Sequence, residues 1–420
     1  MDVHVVSKSD NRQHATVRVP PPSHQLKASS LRLRASILTL SSNNLSYALG
    51  GTWLRWWDTY PVPTTAPPPY NDPTEWGIVP TWGFAEVLES TIPEIESGAT
   101  LHGFWPTSQH HFDLELAADE VPGRWKEVSG HRSALMPLYN RYSVVDTTTE
   151  AHDRETLGWR AGMILIAGYL LAQYVFTPDP KTNPPIHPFG GTEGWTAEDA
   201  DLSKSVFVSL AASTKTARSL AYYLYCRPAG TGPLGFLQVT SSPGPIAEAA
   251  GKFLPQFPVK TVDYGDVANV EEWLSGLGAE RIVIADSGAR DGALDQLRGV
   301  IDGGPGLKGT KVVIIQIGNQ QKIYSADEAR AAAASVEALG KVRYNTSAVQ
   351  ETAIQLQGTG AYYDKLTKHL KEWLQHRESA APDLKLVWGK GIAGAEGIEG
   401  GWDALGQSKV KPEEVLVYQL

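Results

Sequence analysis

Cysteine is almost absent from this sequence, since Cys226 is the only one among 420 residues. One thiol excludes an internal disulfide, a four-cysteine zinc lobe and an iron–sulfur cluster held by this chain alone. His110, His111 and Asp113 form a local cluster of metal-ligand types, but adjacent histidines on a strand point to opposite faces of a sheet. We therefore expect a surface or loop position for this cluster and no metal site.

Excess positive charge and long apolar runs are also missing. The 37 lysines and arginines are outnumbered by 46 aspartates and glutamates, for a formal net charge of −9, so we expect no nucleic-acid partner. The most apolar stretch, Ala161–Phe176, contains Gln173 and is shorter than the roughly 20 residues of a membrane span. This favours a buried helix and no membrane partner. The absence of an apolar signal-peptide core, together with the single thiol, favours a cytoplasmic location.

The length of the chain favours two domains. In the first part, residues 1–30 suggest an extended lead-in, and the proline-rich residues 61–80 suggest a long ordered loop. The predicted strands here are Leu31–Leu40, Gly83–Ser90, Ala99–Trp105 and Tyr139–Asp146. Short strands with irregular connections predict a partly open β-barrel up to about residue 147, followed by a helical stretch over 150–175.

From residue 204 onward, short apolar runs alternate with helical segments, which predicts a parallel, helix-covered sheet. The predicted strands are Ser205–Leu210, Leu234–Val239, Lys260–Asp263, Arg281–Ala285 and Lys311–Ile317. The predicted helices are Thr216–Cys226, Pro245–Leu254, Val270–Leu277, Ala289–Val300, Ala326–Leu339 and residues 361–376. The run VVIIQI is apolar on both faces, as in a central parallel strand. We thus expect an α/β fold with one domain over 1–175, completed by 345–420, and a second over 176–344.

A strand–turn–helix over 206–224 is the candidate phosphate site, because open α/β sheets bind phosphates at such a turn and helix N-termini favour anions. Its glycines are replaced by small residues, Ala211, Ala212 and Ser213, which are followed by Thr214, Lys215 and Thr216. A capped helix start with one solvated lysine would give the same pattern.

The next strand ends in three hydroxyl residues, Thr240, Ser241 and Ser242, rather than in an acid. An acid there would bind the adenosine ribose of NAD(H) and repel a 2′-phosphate, so the hydroxyls, with Lys204 or Lys215 nearby, favour NADP(H). Alternatively, they cap the helix that starts near Pro245.

The two later parallel strands also end in small residues. Ser287 and Gly288 follow one of them, and Ile317, Gly318 and Asn319 end the other. Because the carboxyl ends of parallel strands share one edge of the sheet, we expect these residues to line the same crevice.

Three segments resemble the medium-chain dehydrogenase/reductase superfamily, in its zinc-free quinone-oxidoreductase and enoyl-reductase branch. Residues 31–51 are similar to a strand followed by an Asn-x-x-x-Tyr segment and glycine, residues 76–106 to a barrel strand with its turn, and residues 400–420 to the closing helix and strand. NNLSYALGG, VPTWGFA and SxxASTKTA also resemble an uncharacterised bacterial and fungal subgroup, a domain of unknown function. The resemblance implies a GroES-like barrel domain, a Rossmann-like domain and a nucleotide cofactor.

In the zinc-free reductases, hydride transfer leaves an oxygen or α-carbon that needs a proton or a hydrogen bond. Tyr47 matches the tyrosine of the family segment and is the first candidate donor, with Asn44 as the second. A half-buried barrel tyrosine with a bonded hydroxyl is the alternative for Tyr47. Among the many aromatic residues of the first domain, Trp57 and Trp82 are candidates to wall an apolar substrate cleft.

Three functions remain open at this point. The first is an NADPH-dependent reductase, present as a monomer or homodimer. It would act on an enone, quinone or carbonyl of a hydrophobic small molecule, such as a polyketide-like one. The second is a non-redox enzyme for cyclisation, isomerisation or hydrolysis, with a degenerate nucleotide site. The third is an accessory binding protein on the same scaffold.

Overall fold

The computed structural model describes residues 1–145, 153–163 and 165–420. They form two compact units, the first comprising Met1–Met163, Gln321–Ser325 and Lys385–Leu420, and the second Ile164–Gln320 and Ala326–Leu384. Compared with the predicted boundaries, the segments 165–175 and 345–384 belong to the second unit. The reason is local packing, because helices in these segments contact each other and the helix that follows the first strand of the parallel sheet.

The first unit is built on an eight-stranded sheet. Its strands are β3 (Ser30–Leu40), β5 (Pro80–Ser90), β6 (Thr100–Pro106), β7 (Phe112–Ala118), β8 (Arg124–Glu127), β9 (Arg141–Val144), β16 (Lys385–Lys390) and β17 (Glu414–Gln419). The order is β16-β17-β3-β5-β6-β9-β8-β7, and β7 also pairs with β3. Six strands therefore close into a small barrel, which confirms the expected GroES-like architecture. Its helices are α1 (Ser42–Leu49), α2 (Arg154–Gly162) and α12 (Ile398–Gly406).

The expectation of an extended lead-in over residues 1–30 is wrong. Strands β1 (Asp2–Ser7) and β2 (His14–Arg18) form an antiparallel hairpin, and β4 (Trp76–Gly77) adds a third strand to β1. The valines of this hairpin are buried against residues of the proline-rich loop, including Val62 and Ala66. The loop thus provides a small core for the hairpin, and no local pattern in residues 1–30 reveals that partner.

Other predicted elements of the first part differ in extent. The strand predicted over Tyr139–Asp146 is β9, and Asp146 lies outside the described residues. The helical stretch over 150–175 is divided into α2, α3 (Leu165–Leu170) and a π-helical turn (Leu171–Val175), while residues 150–152 and 164 lie outside the described residues. Strands β7, β8 and β16 were not predicted. They are short or partly polar, so their alternation is weak.

The second unit contains a six-stranded, entirely parallel sheet. Its strands are β10 (Ser205–Leu210), β11 (Gly235–Thr240), β12 (Val259–Asp263), β13 (Arg281–Ser287), β14 (Lys311–Gly318) and β15 (Val342–Arg343). The order β12-β11-β10-β13-β14-β15 reverses direction between β10 and β13, which is the doubly wound arrangement of a Rossmann-like domain. The expected second fold is therefore confirmed, with its switch point between β10 and β13.

Nine helices, counted over the part of the chain that the structure describes, accompany this sheet. They are α3, α4 (Ala197–Ala200), α5 (Lys215–Tyr225), α6 (Pro243–Phe253), α7 (Glu271–Gly276), α8 (Ala293–Gly303), α9 (Ala326–Ala338), α10 (Thr346–Gln357) and α11 (Thr359–Ala380). Among the described residues, none of these helices, nor any in the first unit, is long and apolar enough to cross a membrane.

Strand β14 is less buried than its apolar sequence predicts. It lies second from the edge, beside the two-residue strand β15, and only Ile314 and Ile315 are fully buried. Helix α9 contributes no buried side chain, so the outer part of the sheet is incompletely covered. VVIIQI is therefore not a central strand.

Candidate functional site

The turn after β10 places the start of helix α5 at the carboxyl edge of the sheet. All six residues of β10 are buried, and Ala211 follows with φ of +58°, a left-handed conformation usually taken by glycine. The Ala212 amide then donates to the Val239 carbonyl at 3.0 Å, which keeps the turn close to β11. The Thr214 hydroxyl caps α5 by accepting from the Ala217 amide. The N-terminus of α5 thus lies at the carboxyl edge of the sheet, where helix amides favour an anion.

The predicted phosphate residues of this segment lie in the turn and in the first residues of α5. Ser213 is buried, and Thr214, Lys215 and Thr216 are half-buried at the N-terminus of α5. The structure therefore brings the Ser-Thr-Lys-Thr segment to the switch point, as the sequence predicts.

Arg218, a buried residue that was not predicted from the sequence, is hydrogen-bonded to this turn. The Arg218 Nε donates to the Ser213 carbonyl at 2.9 Å, and its two terminal nitrogens donate to the Asp383 carboxylate at 2.6 and 2.8 Å. Arg218 is only 3% exposed. Arg218 is the only charged residue of α5 after Lys215, and it lies among residues that are otherwise uncharged. This was a signal of a buried partner, but nothing in the sequence indicates that the partner is Asp383.

The hydroxyls that end β11 have different environments. Thr240 is fully buried and its hydroxyl accepts from the Ser242 amide at 3.1 Å, whereas Ser241 is exposed. Ser242 precedes α6 but makes no capping hydrogen bond through its side chain. The interpretation of these hydroxyls as caps of α6 is therefore not supported at Ser242.

Lys204, considered as a phosphate ligand, is at the wrong edge of the sheet. It precedes β10 and pairs with Glu280, which precedes β13, at 3.0 Å. Both residues lie at the amino ends of their strands. Since phosphates bind at the carboxyl ends, Lys204 takes no part in the site.

The turns after β13 and β14 touch each other at the switch-point side of the sheet. Ser287 is buried and its hydroxyl has no hydrogen-bond partner. Gly288 has φ of +95°, and a Cβ there would lie 2.2 Å from the Asn319 carbonyl oxygen, so only glycine fits. Gly318 and the half-buried Ile317 lie opposite. These predicted residues are thus brought together.

Ionic and aromatic groups that were not predicted complete this edge. Asp286 accepts from the amides of Gly288 and Ala289 at 3.1 and 3.0 Å, and the Lys341 ammonium lies 3.7 Å from its other oxygen. Tyr264 lies under the exposed guanidinium of Arg290, which is 3.9 Å from the ring centre. Burial raises the pKa of Tyr264, so its hydroxyl stays protonated.

In the first unit, Tyr47 lies within an aromatic cluster formed with Trp56, Trp82, Phe104 and Tyr139. The Trp82 indole N–H donates to the Tyr47 hydroxyl at 3.2 Å, and burial raises the pKa of Tyr47 to about 12. Trp82 is the half-buried member of the cluster. It stacks on the half-buried His102, with the two ring centroids 5.8 Å apart. The side of the cluster formed by Trp82 and His102 is therefore the one that solvent reaches.

The other two candidates of the first unit have structural contacts. The Asn44 oxygen accepts from the Ser41 amide at 2.8 Å and its nitrogen donates to the Pro80 carbonyl at 3.1 Å, so Asn44 fixes the start of α1, the helix that carries Tyr47. Trp57 is buried, and a Cβ added at Gly51 or Gly77 would clash with its ring. Trp57 thus packs tightly inside the unit.

The histidine cluster of the first unit has no ligand geometry. Asp113 accepts two hydrogen bonds from Arg32, each of 2.9 Å, and pairs with His24. Over the described ranges, no group of three histidine, cysteine, aspartate or glutamate side chains could hold a metal ion.

The sequence and the fold were compared with known proteins. The family model described as "Protein of unknown function (DUF2855)" matches residues 38–411, and no curated protein is significantly similar in sequence. Among solved structures, CurA from Vibrio vulnificus in complex with NADPH is similar with a TM-score of 0.54 at 12% identity, covering 100% of this chain and 99% of that one.

Two further structures cover both chains almost completely. The mitochondrial 2-enoyl thioester reductase heterodimer Etr1p/Etr2p from Candida tropicalis has a TM-score of 0.51 at 9% identity, with coverage of 100% and 99%. Mycobacterial Rv1454c in complex with NADPH has a TM-score of 0.50 at 13% identity, with coverage of 100% for both chains. At these identities the likeness shows the fold, and it agrees with the expected combination of a GroES-like barrel domain and a Rossmann-like domain.

Proposed function

Because this chain belongs to the family described as DUF2855 and folds as a medium-chain dehydrogenase/reductase, we propose that it is an NADPH-dependent, zinc-independent reductase. Its substrate is an enone, quinone or carbonyl of a hydrophobic small molecule. The observation that carries the proposal is the switch point between β10 and β13, where the N-terminus of α5 and the turns after three strands meet at one edge. Such a crevice is where open α/β sheets bind nucleotides.

The residues at this edge fit a dinucleotide. The Ser287 hydroxyl is buried without a partner, and an unsatisfied buried hydroxyl costs free energy that a bound ligand can recover. Gly288 lets the turns after β13 and β14 approach closely at this edge, because a Cβ there would meet the Asn319 carbonyl oxygen. Strand β11 itself ends in Thr240 and the exposed Ser241 rather than in an acid, which favours a 2′-phosphate. The neighbouring acid is Asp263, which lies opposite Thr240 at the end of β12. The NADPH held by the structures of CurA and Rv1454c supports the same cofactor.

When bound, NADPH would supply a hydride to the substrate. Tyr47 is the proposed proton donor, because a pKa of about 12 keeps its hydroxyl protonated at neutral pH. The indole N–H of Trp82 points at the same oxygen and would stabilise the phenolate after proton transfer. Asn44 would orient Tyr47 by fixing α1, and the apolar face of the half-buried Trp82 suits a hydrophobic substrate. Trp57 is enclosed by its own unit, so it supports the cluster and does not face the substrate.

The proposal is tested by titrating the purified protein with NADPH and NADH, using nicotinamide fluorescence and calorimetry. We expect NADPH to bind at least tenfold more tightly than NADH. Ser241→Asp places an acid at the end of β11, so it should weaken NADPH binding and spare NADH, while Ser241→Ala serves as the matched control. Binding of neither nucleotide by the wild type would overturn the proposal in favour of a non-redox enzyme or an accessory binding protein.

A further inference from the structure

The peptide between Ser213 and Thr214 is fixed from both sides. Its N–H donates to the Ala211 carbonyl at 3.0 Å, and its C=O accepts from the Arg218 Nε at 2.9 Å. This peptide immediately precedes the first helical residues of α5, whose amides have no acceptor within a helix. Its orientation therefore sets the direction from which α5 presents those amides.

The guanidinium of Arg218 is itself held rigidly. Its two terminal nitrogens form a bidentate pair with Asp383, which follows α11 and is 17% exposed in its side chain. A planar guanidinium with its donors in a fixed fork transmits position better than a flexible ammonium does. Because Asp383 balances the charge of Arg218, the pair adds little net charge beside the turn.

We propose that Arg218, held by Asp383, is a positioning residue for the pyrophosphate of the nucleotide. In a glycine-rich loop, the close packing of glycines fixes the conformation of the turn. In this chain, the hydrogen bond from the Arg218 side chain fixes it instead. This inference rests on the proposed nucleotide binding. In this role Arg218 does not contact the ligand and acts only through the geometry of the turn.

The test compares Arg218→Lys with Arg281→Lys. Arg281 is also buried and its Nε donates to the Ser205 hydroxyl at 3.0 Å, but it lies at the amino end of β13, about 20 Å from the crevice by strand length. We expect similar falls in melting temperature for both variants. Only Arg218→Lys should raise the Kd for NADPH, by at least tenfold, and the affinity for 2′-AMP, which lacks the pyrophosphate, should not change.

Two further variants separate geometry from charge and from folding. Asp383→Asn removes the negative charge that balances the Arg218 guanidinium. If Arg218 acts by attracting the phosphates, this variant should bind NADPH more tightly. If Arg218 acts by positioning the turn, the variant should bind NADPH more weakly. The double variant Arg218→Met, Asp383→Leu should remain folded, because apolar replacement of a buried ion pair is often tolerated. Its affinity for NADPH should nevertheless be lower than that of the wild type.

The outcomes distinguish this inference from the proposed function. If the wild type binds neither nucleotide, both are overturned. If the wild type binds NADPH and Arg218→Lys binds it equally well, Arg218 is only structural and the inference alone fails. A tighter NADPH complex in Asp383→Asn would also overturn it.

Discussion

The backbone conformation of Ala211 is energetically unfavourable for any residue that has a Cβ. Its φ of +58° lies in the left-handed region, which costs an L-residue roughly 1–2 kcal/mol, whereas glycine loses about 0.5–1 kcal/mol through its greater freedom in the unfolded chain. We therefore expect Ala211→Gly to raise the free energy of unfolding by about 0.5 kcal/mol. Urea denaturation measures this change. Ala212→Gly, at a neighbouring position without a positive φ, should destabilise instead, and a fall for both variants would contradict the argument.

Tyr47 can be tested by removing one oxygen. In Tyr47→Phe the Trp82 indole loses its acceptor, which costs about 1 kcal/mol of stability, and the proposed proton donor is gone. We expect turnover to fall by roughly 10²-fold or more while the Kd for NADPH stays the same. Steady-state kinetics and nucleotide titration give the two values. Unaltered turnover would remove Tyr47 from the mechanism and leave it as a buried residue of the aromatic cluster.

At the scale of elements, the hairpin of β1 and β2 is attached to helix α12 through His4 and His14. The Nε2 of His4 lies 3.0 Å from the Nδ1 of His14, and the Nε2 of His14 lies 3.1 Å from the Asp403 carboxylate on α12. Both imidazoles pack against Trp402. The hairpin therefore depends on a neutral His4 at the end of this chain of hydrogen bonds.

This attachment predicts a pH dependence. Burial, with a smaller contribution from His14, lowers the pKa of His4 to about 3, against about 6.5 in an unfolded chain. Between these values the unfolded state binds a proton that the folded state does not, so stability is full above pH 6.5 and falls with decreasing pH, by about 1.4 kcal/mol per unit for one group. Urea denaturation at several pH values should show a shallower fall for His4→Gln than for the wild type. Parallel curves would show that His4 contributes nothing to the dependence.

The sequence predicted the parallel sheet better than the first unit, for physical reasons. Strand β10 is buried on both faces and adjoins an amphipathic helix, so its pattern is purely local, and the predicted bounds Ser205–Leu210 are those observed. Strands β1 and β2 depend on the distant proline-rich loop for their core. In the same way, the residues of the turn after β10 are adjacent in sequence, so their position at the start of α5 could be predicted. The ion pair between Arg218 and Asp383 joins residues 165 positions apart, and no local pattern indicates it.

At the scale of the whole molecule, the supply of metal ligands limits the chemistry. The chain has one thiol and eleven histidines, and the histidines described above have other partners, His14 with Asp403 and His24 with Asp113. Throughout the described ranges, no three ligand-type side chains converge. For an oxyanion formed in the proposed reaction, the groups we propose for stabilisation are hydrogen-bond donors such as Tyr47.

The proposed reaction needs no zinc, and this can be measured. We expect dialysis against a chelator to leave turnover unchanged, since catalytic zinc needs three protein ligands. Elemental analysis should find zinc well below one atom per chain, and added zinc should bring no gain. A zinc-dependent dehydrogenase passed through the same dialysis serves as the control for metal removal. Loss of turnover that zinc restores would overturn the zinc-independent reaction.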